Sequence, residues 1–144
     1  MARGFASRAD DQEPCPCGSG SRLDSCCGPL HQGLSKAKTA EQLMRSRYSA
    51  FVLGEIDYLL ATHPDPHTSI PQRRRQLRAS CRQMQWLGLE ILAVECGGTE
   101  DCRGIVQFEA RFITAGTRSS LKETSLFERR DGQRSGDWLY VRAL

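Results

Sequence analysis

Two hydrophobic rhythms divide this chain. Between Thr39 and Met84 apolar residues recur at three- and four-residue steps, the period of helices; between Trp86 and Ala143 they alternate, the period of strands. Thr39 and Gln42 have the spacing of a capping box, and Leu43, Met44, Arg47, Tyr48, Phe51 and Val52 then share one helical face up to a stop at Gly54. Arg47 is the charged exception on that face, so the pattern predicts a buried guanidinium beside Tyr48. A second helix is expected over Glu55 to Thr62, with Ile56, Leu59 and Leu60 inward, ended by His63-Pro64. A third is expected from Gln72 to Met84.

Four strands are predicted beyond it, at Trp86–Cys96, Gly104–Ala115, Ser119–Arg130 and Trp138–Ala143. Turn signals at Gly97-Gly98, Ala115-Gly116-Thr117 and Asp131-Gly132 separate them. Val106, Phe108, Ala110 and Phe112 point one way and Gln107, Glu109 and Arg111 the other. In the third strand Leu121, Glu123, Ser125 and Phe127 share a face, which sets a carboxylate and a hydroxyl among apolar neighbours. Three helices followed by an antiparallel meander is an α+β pattern, with the four-stranded sheet curling over the helices.

Ahead of this rhythm lies a stretch with no room for a core. Cys15, Cys17, Cys26 and Cys27 fall within thirteen residues, spaced by one, eight and no intervening positions. Adjacent cysteines cannot bridge each other without severe strain, and the first fourteen residues hold no apolar run that would act as a secretory signal. The spacing instead suits a tetrahedral thiolate site for zinc, with iron as the alternative metal because thiolates accept both. Gly18 and Gly20 fit the turn beneath the first pair. His31 is a substitute fourth ligand, although four thiols already close a structural site.

Residues 1–14 are polar and aperiodic and are expected to be a disordered tail; 15–30 form the knuckle, 31–38 a linker, and 39–144 the main domain. The formal charge of +3 falls to about +1 once four thiolates and a divalent ion are counted, so charge neither favours nor excludes nucleic acid. No apolar run approaches the roughly 20 residues of a membrane span. A soluble protein of the reducing, bacterial-type cytosol is expected.

CPCGSG followed by CCG resembles the SEC-C motif, the zinc module at the carboxyl end of the SecA translocation ATPase. That resemblance implies Cys15, Cys17, Cys26 and Cys27 as metal ligands and points to a protein or ribosomal partner of the export and chaperone machinery. LMRSRYSAF at 43–51, His63-Pro64, WLGL at 86–89 and the later FEARF, KETSLF and WLYV resemble the YchJ family, which joins a SEC-C module to a cone-shaped domain of the nuclear transport factor 2-like superfamily. Such cones enclose a pocket between sheet and helices, and they often pair through the outer sheet face, which makes a homodimer one expected arrangement.

Arg47, Tyr48, Tyr58, His63, Trp86, Glu123 and Ser125 are the pocket candidates. A catalytic reading makes Glu123 or His63 a general base and Arg47 an anion anchor. A structural reading has Arg47 and Glu123 pair across the core, Tyr48 and Trp86 pack, and His63 cap the second helix. No nucleophile, phosphate-binding glycine loop or second metal cluster accompanies them, so no catalytic residue is assigned. Cys96 and Cys102 could form a redox pair, but together with Cys81 they are expected to be small buried thiols. Arg73, Arg74, Arg75, Arg78 and Arg82 are expected to form an exposed solvated face; without interleaved aromatics, sequence-specific nucleic-acid binding is not expected.

Two functions from different classes follow. In the first, the knuckle is an adaptor surface for a partner. In the second, an enzyme or small-molecule binder works in the cone, with the knuckle as a targeting element.

Overall fold

The computed structural model describes residues 12–144. A short helix that the pattern does not predict, α1 (Cys27–His31), precedes the three helices and four strands that form in the expected order: α2 (Ala40–Leu53), α3 (Ile56–Ala61), α4 (Ile70–Gln83), β1 (Met84–Cys96), β2 (Arg103–Thr114), β3 (Thr117–Arg129) and β4 (Trp138–Ala143). The strands make one antiparallel meander in the order β1-β2-β3-β4. Bulges at Trp86/Gly88 and Ile91/Ala93 in β1, and at Val141 of β4 opposite Leu126/Phe127, bend the sheet. Its concave face takes α2.

Local chemistry explains the elements. The Thr39 hydroxyl accepts from the Gln42 amide at 3.1 Å, as a cap should, while the Gln42 side chain accepts from the Lys38 amide at 2.6 Å, one residue earlier than in the standard box. Gly54 ends α2 in the left-handed region. Ser69 caps α4 and Pro71 occupies its first turn, so this helix starts two residues before the predicted position. The sheet and α2 meet at Gly97, whose carbonyl accepts from the Ala40 amide at 2.9 Å. A Cβ at Gly97 would lie 2.7 Å from that of Ala40, and the backbone there has φ of +78°, so only glycine permits the approach.

Ala40, Leu43, Met44 and Tyr48 of α2 pack on Val106, Phe108, Ala110, Phe127 and Trp138 of the sheet. Val52, expected on the same face, is 37% exposed. The edge strand β4 is covered by the end of α3. There the Tyr140 amide donates to the Thr62 carbonyl at 2.8 Å, and His63 Nδ1 donates to the Tyr140 carbonyl at 2.9 Å.

The predicted tail lies mostly outside the described residues, but Glu13 and Pro14 belong to the knuckle: Pro14 bridges to Arg22, and the Leu23 amide donates to the Glu13 carbonyl at 3.0 Å. The predicted linker likewise begins inside α1, which runs to His31.

The arginine run divides. Arg75, Arg78 and Arg82 are exposed, whereas Arg74 pairs with Asp57 at 2.6 Å and Arg73 is buried, donating to the His63 carbonyl. The three remaining cysteines are free thiols rather than uniformly buried ones. Cys96 is exposed and Cys81 and Cys102 are half-buried; Cys96 sits opposite Gly104 in the ladder, not Cys102.

Candidate functional site

The knuckle brings its four sulfurs within 4.8 Å of one another. Cys17 and Cys26 are 3.6 Å apart and Cys26 and Cys27 are 3.9 Å apart. A tetrahedron with zinc–sulfur bonds of about 2.3 Å has edges of about 3.8 Å, so the spacing suits a shared ion. A disulfide, by contrast, needs about 2 Å. The backbone holds this shape through a tight turn, Gly18 amide to Cys15 carbonyl at 3.2 Å, and through the Cys26 amide to the Leu23 carbonyl at 3.1 Å. Cys15, Cys17, Cys27 and Leu23 are buried together, with Cys26 half-exposed.

The electrostatics also call for a cation. Hydrogen bonds from Cys17 and Cys27 hold the Cys15 thiol far below its ordinary range. The bond to Cys15 in turn drives Cys27 far up, and burial raises Cys26. Without an ion the cluster can carry little negative charge before each further thiolate is opposed by the last. A divalent ion removes that opposition and takes all four as ligands.

The knuckle is docked, not appended. Cys15 Sγ lies 3.4 Å from the Ser49 hydroxyl, and Arg45 donates from Nη1 to the Cys17 carbonyl at 2.8 Å while its Nε pairs with Glu41 at 2.9 Å. His31 does not join the sulfur cluster. Its Nε2 donates to the Ser46 carbonyl at 2.8 Å and its ring meets Tyr58 edge-on at 5.0 Å. Ser46 also bonds the Tyr58 hydroxyl at 2.6 Å. The second buried face of α2 is therefore Ser46 and Ser49, both fully buried. Its signal in the sequence is small residues three apart, opposite the apolar stripe.

The cone holds a cavity of about 300 Å³. Five of the seven predicted residues line it: Arg47, Tyr48, Trp86, Glu123 and Ser125. The structure moves the other two elsewhere. Tyr58 lines a separate cleft between α1, α3 and β4, and the His63 ring serves the edge of β4 while its backbone amide donates to the Leu60 carbonyl at the end of α3 at 3.4 Å. Tyr140, from the short edge strand, and Ser80, from α4, are polar lining residues that the pattern does not disclose.

Arg47 and Glu123 do not pair. Arg47 Nη1 donates to the Leu59 carbonyl at 3.0 Å and the Thr62 hydroxyl at 2.6 Å, and its guanidinium lies 5.1 Å from the Tyr140 ring centre. Burial lowers its pKa to about 10, which leaves it charged at neutral pH. Glu123 Oε2 accepts from the Ser125 hydroxyl at 2.5 Å and the Tyr140 hydroxyl at 3.1 Å. Burial, reinforced by Glu123, pushes the Tyr140 hydroxyl up to about 12, so it stays a donor. Desolvation pulls His63 below its ordinary value.

Two solved structures share this arrangement of knuckle and cone. The solution structure of a SEC-C motif containing protein from Rhodopseudomonas palustris superposes with a TM-score of 0.74 at 35% identity, covering 90% of this chain and 96% of that one. The crystal structure of a SEC-C motif containing protein from Psychrobacter arcticus gives 0.75 at 26% identity, with 93% and 83% covered. Fold and site thus define a SEC-C motif protein built on a nuclear transport factor 2-like cone. Residues 39–143 match the family described as YchJ, middle NTF2-like domain. A UPF0225 protein of Chromobacterium violaceum is 42% identical over 139 residues, spanning 96% of this chain and 97% of its own, and one of Streptomyces coelicolor is 43% identical over 130 residues, spanning 89% and 92%. The chain belongs to the YchJ family.

Proposed function

We propose that this protein is a zinc-binding adaptor of the cytosol whose knuckle presents one face to a protein partner. The observation that supports this is the division of the knuckle into two faces. One is spent on α2 through Cys15, Cys17 and His31, while residues 18–22, 24 and 25 are exposed. A rim held by a metal and braced on a helix loses little conformational freedom on binding, which favours its use for recognition. The likeness to the zinc module of SecA suggests a partner in protein export or chaperone work. Arg22 contributes less than its charge implies, because it pairs with Asp24 at 2.5 Å.

A photo-crosslinking residue at Ser21 tests this, beside a control at Glu109 on the outer face of the sheet. A discrete protein adduct at Ser21, absent at Glu109 and lost in Arg22→Glu/Asp24→Arg with metal content unchanged, is the expected result. Equal adducts at both sites would contradict it, and a ribosomal RNA adduct would change the partner class. Replacing Cys26 and Cys27 is the poorer test, because it also disturbs the docking on α2.

A second reading uses the cone cavity for a small molecule. It is favoured by the buried Trp86 indole nitrogen, which has no hydrogen-bond partner among the described residues.

A further inference from the structure

We infer that the cone cavity binds a neutral, mainly apolar ring compound carrying one hydrogen-bond acceptor and one donor. This rests on the cavity reading alone and names its ligand class; the knuckle reading is independent of it.

Size and walls come first. At interior packing density, roughly 20 Å³ per non-hydrogen atom, about 300 Å³ holds about fifteen atoms. Trp86 forms one wall, meeting Tyr48 at 5.7 Å and Phe112 at 5.4 Å edge-on and Phe51 at 6.1 Å, and Phe108 and Tyr140 contribute further ring surface. Flat aromatic surface matches such walls by stacking and edge contacts.

Two polar atoms then specify the ligand's functional groups. Among the described residues Trp86 Nε1 is buried without a hydrogen-bond partner, a state that costs about 1–3 kcal/mol, and a ligand acceptor relieves it once the indole turns its N–H toward the cavity. Glu123 uses Oε2 for Ser125 and Tyr140, and its Oε1 takes no hydrogen bond among the described residues, so a ligand donor has a place there.

The summed charge of the lining favours a neutral ligand over an ion. The lining holds one cation, Arg47, and one carboxylate, Glu123, and Arg47 spends Nη1 on Leu59 and Thr62. The two charges sum to zero, so a charged ligand would leave the lining with a net charge, and a buried uncompensated charge is expensive.

The test uses the metal-loaded full chain, the indole N–H resonance of Trp86, and three probes of one shape: 2-naphthamide, 2-naphthoate and 2-naphthylmethylammonium. The amide supplies both an acceptor and a donor. It is expected to shift the Trp86 signal saturably, leave Trp138 unmoved, and bind at least tenfold more tightly than either ion. Two variants accompany the wild type, read from the Ser125 backbone amide. Trp86→Phe removes the donor and should weaken the amide at least fivefold; Leu121→Phe, placed at the half-exposed mouth, should block it with the fold intact. An ion that binds as tightly as the amide overturns the ligand class and leaves a small-molecule site standing. No shift by any probe up to its solubility limit overturns the class and the cavity reading together.

Discussion

The Cys15 sulfur lies 3.4 Å from the Ser49 hydroxyl, so the cysteine cluster and the central helix of the cone share a contact. The knuckle and cone are therefore expected to melt as one unit. Removing the metal with a chelator should lower the melting temperature followed by Trp138 fluorescence, a cone signal. Ser49→Ala loses one hydrogen bond to sulfur and should cost roughly 1–2 kcal/mol, whereas Ser49→Leu should cost more by prying the knuckle off α2. An unchanged cone transition after metal removal would separate the two parts.

Arg47 carries the second prediction. Arg47→Ala strands the Leu59 carbonyl and opens a void beside Tyr140, and should cost about 3 kcal/mol in urea unfolding. Arg47→Met should cost distinctly less, because it fills the space and avoids burying a charge. If both cost the same, the lost hydrogen bonds to Leu59 and Thr62, rather than the void, decide the site.

His63 gives the pH dependence. Its folded pKa is lowered, chiefly by burial and further by Arg47 and Arg73, while its bond to the Tyr140 carbonyl and the charge of Asp65 act the other way. Below an unfolded value of about 6.5 the unfolded chain binds more protons than the folded one, so stability falls as pH drops through 6.5 toward the folded pKa. His63→Gln should flatten that part of the stability curve at equal metal occupancy. Parallel curves for the two proteins would assign the acid sensitivity to other groups.

The β2–β3 turn offers a stabilising change. Ala115 and Gly116 have φ of 51° and 77°, the left-handed pair of a type I′ turn, and Asn tolerates that region better than Ala. Ala115→Asn should raise stability by roughly 0.5–1 kcal/mol by thermal unfolding; a loss would mean that the Ala115 methyl makes a contact the turn needs.

Periodic features of this fold were legible and non-local ones were not. Thr39, Gly54 and the alternation of Val106, Phe108 and Ala110 mark their elements because cap, stop and pleat are local matters. Four closely spaced cysteines announce their own cluster. Ser46 and Ser49 look like a solvent face, and only the position of the knuckle makes them an interface. Arg47 was correctly placed inside, but its partners, Leu59 and Thr62, are backbone and hydroxyl atoms one helix away that no charge pattern identifies. Arg129 is similar: buried, it donates to the carbonyls of Thr99, Asp101 and Gly136 and stacks 4.5 Å from Trp138. Tyr58 and His63 were misdirected to the cone pocket because α3 and the residues that follow it are too short for periodicity to say which neighbour each side chain meets.

X-ray absorption at the zinc edge, on the purified chain loaded with one equivalent of zinc, tests the metal centre most directly. Four sulfur neighbours at about 2.3 Å and no lighter atom are predicted, with the signal lost in Cys27→Ser. A nitrogen or oxygen in that shell, or zinc that does not stay with the protein through gel filtration, would contradict it.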